Sequence, residues 1–230
     1  SEPKTFYPDK RGKNNPFPMT GYPFQPEELV EVTYDNNVKI MVPPNHMDLA
    51  KETAFRISLL PKAFSKTPIL IAFSNNPNPT DAELSEKYNS PFITEATNYG
   101  NGMLLVQHGR NGSSVPMKNK TIIHEIAHTI DAGNKISNSD EYKLAVKQDI
   151  EHELNRYGHS KNLPEETGGF VSRYAKDSFN VLKEGSKYKE DFAVLLEKYY
   201  SGTDFEKTLI ENGFPNRIRL MKKLLGDDNV

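Results

Sequence analysis

Lys120-Thr-Ile-Ile-His-Glu-Ile-Ala-His-Thr-Ile-Asp131 encloses the pentapeptide His124-Glu-Ile-Ala-His128, and the reading of the whole chain turns on it. Residues four apart lie on one face of an α-helix, so His124 and His128 can present two imidazole nitrogens to one metal ion. Glu125 then sits beside that ion without having to bind it. Metal-assisted hydrolysis needs this arrangement: fixed ligands, an open coordination position for water, and a carboxylate placed to take the water's proton. Ile122, Ile123, Ile126, Ala127 and Ile130 supply the buried side of the same helix, which leaves its polar residues facing a cleft.

At 230 residues the chain can bury a sizeable core as one large domain or two small ones. Hydrophobic content of 36% with 26% charged residues suits a soluble globular protein and excludes a mainly disordered one. The net charge of −2 gives no reason to expect a nucleic-acid partner. There is no apolar run of membrane-spanning length and no hydrophobic signal segment. Ser1 in place of an initiating Met suggests a processed product, so the expected location is secreted or extracytoplasmic, from a bacterial cell. Cysteine is absent, so any metal must be held by histidines and carboxylates.

Residues 1–28 carry six prolines, from Pro3 to Pro26, and a basic cluster at Lys10, Arg11 and Lys13. Proline at that density opposes regular helix and sheet, which predicts an extended N-terminal arm. Residues 29–230 are then expected to form a single catalytic domain. Leu29–Tyr34 and Val38–Val42 read as a hairpin. Asn45 is the expected N-cap of a helix over 47–60. Pro68–Phe73, a nearly continuous apolar run, reads as a buried strand.

The stretch from Asn75 to Asn98 reads as a long connection with one helical turn at Asp81–Lys87. Gly102–Gln107 is a further strand just upstream of the histidine helix. It is read either as an exposed edge that takes up an extended peptide substrate or as a plain core strand. Gly109–Lys120 reads as a polar loop, and Gly133 or Asn134 suits the left-handed cap that ends the histidine helix. A helix over 139–157 and amphipathic helices over 188–200 and 216–225 make up a helical C-terminal half.

Catalytic zinc usually keeps three protein ligands and a water. The pattern H-E-x-x-H-x-x-G-x-x-H is excluded, because Asp131 and Asn134 stand where its Gly and last His belong. A carboxylate from a later helix is the remaining common solution. Glu151, Glu153, Glu190, Asp191 and Glu197 are all candidates, and spacing alone does not choose among them. Asp131, three residues after His128, either orients a ligand or a nearby loop or simply solvates the helix end. His46, His108, His152 and His159 read as surface or loop residues.

Three segments taken together resemble the anthrax lethal-factor-like zinc peptidases, a group that includes the bacterial Pro-Pro endopeptidases. They are His124–Asp131, Val171-Ser-Arg-Tyr-Ala175 and Glu190-Asp-Phe-Ala193. The resemblance implies that Glu190 is the third zinc ligand and that Tyr174 lies near the metal as the oxyanion donor. Phe179–Lys187 reads as an insertion relative to the family, which makes Tyr188 the alternative donor. Val194 stands where the family often has a second Glu.

The expected fold is α+β and zincin-like: a small mixed sheet with an exposed substrate-binding edge strand, an active-site helix and a helical C-terminal half. The expected function is a zinc-dependent endopeptidase acting on an extended protein or peptide substrate. His124, His128 and Glu190 hold Zn2+, Glu125 is the general base, and the resemblance suggests proline-containing cleavage sites. The alternative is a lethal-factor-like binding or toxin module with weak or absent catalysis.

Overall fold

In the computed structural model, which describes residues 4–6, 27–34, 38–66, 69–74, 81–91, 96–98, 103–107, 115–157 and 168–227, the apolar run near residue 70 is an interior strand of a mixed six-stranded sheet. The architecture is α+β. The chain divides into two compact units, Ser1–Leu60 with Ser65–Glu125, and Pro61–Phe64 with Ile126–Val230.

The first unit holds the sheet. Its strands are β1 (Lys4–Phe6), β2 (Glu27–Tyr34), β3 (Val38–Val42), β4 (Ile69–Ser74), β5 (Ala96–Asn98) and β6 (Met103–Gln107), in the order β1-β2-β3-β4-β6-β5. β2 pairs antiparallel with β1 on one side and β3 on the other, β3, β4 and β6 are parallel, and β5 returns antiparallel on β6. β4 has parallel neighbours on both sides. Ile69, Ile71, Ala72 and Phe73 are all buried in it, as the unbroken apolar run predicts for a strand covered on both faces.

Parallel β3 and β4 need a crossover, which runs through a 3-10 turn at Pro44–His46, α1 (Met47–Ser58) and α2 (Lys62–Lys66). α1 buries Leu49, Ala50, Thr53 and Ile57, the stripe of a helix packed on one face. Its N-cap is His46 and not Asn45, because the 3-10 turn absorbs Asn45, and no side chain caps it.

Three further expectations change. Within the proline-rich arm, Lys4–Phe6 joins the sheet by pairing with Glu27–Leu29. No proline falls within that tripeptide, so the ladder loses no donor there. Gly102–Gln107 is not an edge: its strand, β6, is paired on both sides, and β5, within the stretch read as connection, is the last strand in the order. The helical turn at 81–87 is a full helix, α3 (Asp81–Tyr88).

The second unit is helical, with α5 (Asp140–Tyr157), α6 (Arg173–Val181), α7 (Lys189–Ser201), α8 (Asp204–Gly213) and α9 (Pro215–Leu225). α7 is its interior helix. Every residue from Glu190 to Leu196 is buried, so the expected amphipathic pattern fails over these two turns. α8 starts on a complete capping box: Thr203 accepts from the Glu206 backbone N–H, and the Glu206 side chain reaches back to Thr203. No helix among the described residues is long and apolar enough to cross a membrane.

Candidate metal centre

The boundary between the units falls inside α4 (Val115–Asn134), whose backbone runs through it as one unbroken helix. α4 begins within the stretch read as a polar loop. Pro116 is no obstacle there, because a proline in the first helical turn removes no intrahelical hydrogen bond. Ile122, Ile123, Ile126, Ala127 and Ile130 are buried, and His124, Glu125, His128 and Thr129 between them are half-buried. The periodicity read from the sequence is therefore the periodicity of burial.

α4 ends through Lys135, which takes the left-handed conformation (φ 53°) in place of Gly133 or Asn134. Asp131 explains this. One of its carboxylate oxygens accepts from the Ser137 backbone N–H and the other from the Ser137 hydroxyl, both at 2.6 Å. Its carboxylate thus pins the turn that follows the helix.

Within the second unit, Nε2 of His128 lies 3.1 Å from Oε1 of Glu190 in the first turn of α7. His124 is one helical turn before His128, and one ligand atom from each of His124, His128 and Glu190 lies within 4.8 Å of the others. Glu125 is not in this group. The donor set is two imidazole nitrogens and one carboxylate oxygen with no thiolate, a combination that suits zinc with a position left open. The group therefore fits the ion. Burying Glu190 is also eased by its place at the N-terminus of α7, where the helix dipole favours negative charge.

The other candidate carboxylates whose side chains are described are placed elsewhere. Asp191 is fully buried and spends both oxygens on other partners, accepting from the Tyr142 hydroxyl (2.6 Å), the Val171 backbone N–H (2.8 Å) and the Arg217 guanidinium. Glu151 is exposed on α5, and Glu197 is half-buried two turns beyond Glu190. The side chain of Glu153 lies outside the described residues, as do His108 and His159. His46 and His152 do not join the group.

Of the two tyrosines, Tyr174 sits in the first turn of α6 and is 57% exposed. Ser172 caps that helix by accepting from the Ala175 N–H. Tyr188, by contrast, packs its ring against Phe170, Phe179 and Tyr142, with centroids 5.1–6.3 Å away. Burial, and after it the Asp191 charge, pushes its hydroxyl above the ordinary tyrosine range.

Two features of the site were not foreseen from the sequence. Asn98 on β5 donates to the backbone carbonyl of Glu125 at 3.0 Å, tying the last strand to the helix at the residue that carries the proposed base. Arg217 on α9, completely buried, holds Asp191 beside Glu190. Arg217 falls within the buried stripe of α9 with Ile218, Met221 and Leu225. A cation on such a stripe is the signal that a buried acid faces it.

No family model matches the chain, and no curated protein matches it significantly.

Proposed function

We propose that this chain is a zinc-dependent endopeptidase of zincin-like fold, with His124, His128 and Glu190 holding the metal. The observation that carries the proposal is the meeting of those three side chains, two from one helix and one from a helix far along the sequence. Chance placement of exposed acids does not account for it, because Glu190 is buried and directed at His128. A bound zinc supplies Lewis acidity, lowering the pKa of water toward neutrality and polarising a carbonyl.

The protein's own groups do the rest. Glu125, next to the first ligand, accepts the proton of the attacking water and delivers it to the departing amine. Tyr174, on the exposed start of α6, donates a hydrogen bond to the oxyanion of the tetrahedral intermediate. An extended substrate adds to β5, last in the sheet order, through backbone hydrogen bonds that tolerate many side chains. The Asn98–Glu125 bond keeps that strand in register with the base. The resemblance to Pro-Pro endopeptidases makes proline near the scissile bond the first specificity to try.

Digestion of a diverse peptide library, enriched in proline-containing members, by the zinc-loaded protein and its Glu125→Ala variant tests the proposal by mass spectrometry. Cleavage by the parent alone supports it and reads out the preferred site. Zinc binding without cleavage of any member favours the binding-module reading instead.

A further inference from the structure

Glu190 and Asp191 are neighbours on α7 that face different ways: Glu190 meets His128, and Asp191 points into the interior of the helical unit. Around Asp191 the second unit is stitched together. Nη1 of Arg217 donates to both Asp191 oxygens at 3.0 and 3.1 Å, and its Nε lies 3.1 Å from Oδ2 of Asp149 on α5. Asp149 also accepts from the backbone N–H groups of Asn216 and Arg217 at the start of α9. Nη2 of Arg217 donates to the carbonyl of Gly169, while Val171, in the same turn, donates to Asp191. That turn leads into α6 and Tyr174.

A buried ion pair of this kind is weak evidence for stability, since well-packed apolar side chains often serve as well. Placement is a different matter. A carboxylate about 6 Å from a helix axis moves by roughly 1.5 Å if the helix rolls by about 15°, whereas metal–ligand distances tolerate about 0.2 Å. Something must fix the roll of α7, and a carboxylate one residue from the ligand, held from α5, α9 and the 169–171 turn, does so.

Resting on the zinc reading above, we propose that Asp191, clamped by Arg217, is the positioning residue that aims Glu190 at the metal and holds the start of α6 in the same frame. The clamp touches neither metal nor substrate. Its loss changes the geometry of the metal centre in addition to any cost to the fold, which removing one partner of a buried pair also carries.

The test measures zinc affinity by competition with a chromophoric chelator, and the visible spectrum of the cobalt(II)-substituted protein, for wild type, Glu190→Ala, Asp191→Asn, Tyr142→Phe and Leu225→Ala. Circular dichroism and thermal unfolding of the metal-free proteins establish folding. The expected result is folded Asp191→Asn with zinc affinity weakened about 10–100-fold and an altered cobalt spectrum. Leu225→Ala, destabilised at the far end of α9 and making no bond to the clamp, keeps wild-type affinity. Wild-type affinity in folded Asp191→Asn would overturn the proposal while leaving the ligand reading intact. Should Asp191→Asn fail to fold, Tyr142→Phe decides: several-fold weaker zinc supports the clamp, and unchanged zinc overturns it. Failure of the zinc reading itself shows separately, as a wild type that binds no zinc or a Glu190→Ala that binds it unchanged.

Discussion

Nε2 of His128 and Oε1 of Glu190 stand 3.1 Å apart, joining α4 to the first turn of α7. Two ligand atoms each about 2.05 Å from a tetrahedral ion are separated by about 3.3 Å. The 3.1 Å separation is that of a direct imidazole–carboxylate contact and is also close to the spacing that the proposed zinc reading requires of two ligands of one ion; α4 carries His124 one turn away on the same helix. The proposed centre thus rests on a local helical repeat and one long-range contact.

Replacing Glu125 by Ala separates chemistry from metal binding. Zinc content should remain that of the parent, because Glu125 is outside the ligand group. Turnover should fall about 10²–10⁴-fold, the range for losing a general base. Steady-state kinetics alongside metal analysis checks both halves. Loss of zinc from this variant would place Glu125 among the ligands.

The two tyrosines make opposite predictions. Tyr174→Phe should lower kcat about 10²–10³-fold, as for the loss of one oxyanion donor, with little effect on stability because the side chain is exposed. Tyr188→Phe, whose ring lies in an aromatic cluster, should leave kcat nearly unchanged. The reverse pattern in kcat would reassign the donor to Tyr188.

Gly169 has φ 87°, and a Cβ placed there would stand 2.5 Å from Cγ1 of Ile150. Gly169→Ala therefore combines a strained backbone with steric overlap, and should cost about 2–4 kcal/mol. Urea denaturation measures it. A loss below about 0.5 kcal/mol would show that the turn receiving Arg217 adapts freely.

Glu211 provides a pH signature unrelated to the metal. The Tyr199 hydroxyl donates to it at 2.7 Å and Lys222 at 3.4 Å, and these contacts hold its carboxyl below the ordinary glutamate range. A folded pKa below the unfolded one means stabilisation that is complete above the unfolded value and lost as pH falls through the folded one. The pair is largely solvated, so the effect is small, about 0.5 kcal/mol. Unfolding curves of wild type and Glu211→Gln should differ by that amount at pH 7, and the difference should vanish as pH falls through the folded carboxyl's lowered pKa. A gap that persists in acid would mean that the carboxylate charge is not its source.

What could be read in advance was what is encoded locally. The isoleucine stripe of α4 repeats at helical spacing, and burial follows it residue for residue. β4 announces itself because a strand covered on both faces has no polar alternation to disguise it. β5 does not, since Ala96-Thr-Asn98 carries little apolar signal and owes its existence to pairing with β6. α8 is marked in the sequence by Thr203 and Glu206, which spell a capping box, and by little else, since it buries none of its residues. The all-round burial of α7 is hidden by its acidic first turn, whose Glu190 and Asp191 are buried because His128, Tyr142 and Arg217, distant in sequence, receive them. Spacing leaves five carboxylates open as the third ligand; among those whose side chains are described, a tertiary contact with His128 singles out Glu190 for the proposed reading.

Zinc stoichiometry tests the central claim most directly. Wild type, Glu125→Ala, His128→Ala, Glu190→Ala and Glu151→Ala would be loaded with zinc, dialysed against a weak chelator and analysed for metal per chain. The account predicts about one zinc in wild type, Glu125→Ala and Glu151→Ala, and close to none in His128→Ala and Glu190→Ala. Zinc retained by Glu190→Ala but lost from Glu151→Ala, or a wild type that holds none, would contradict it.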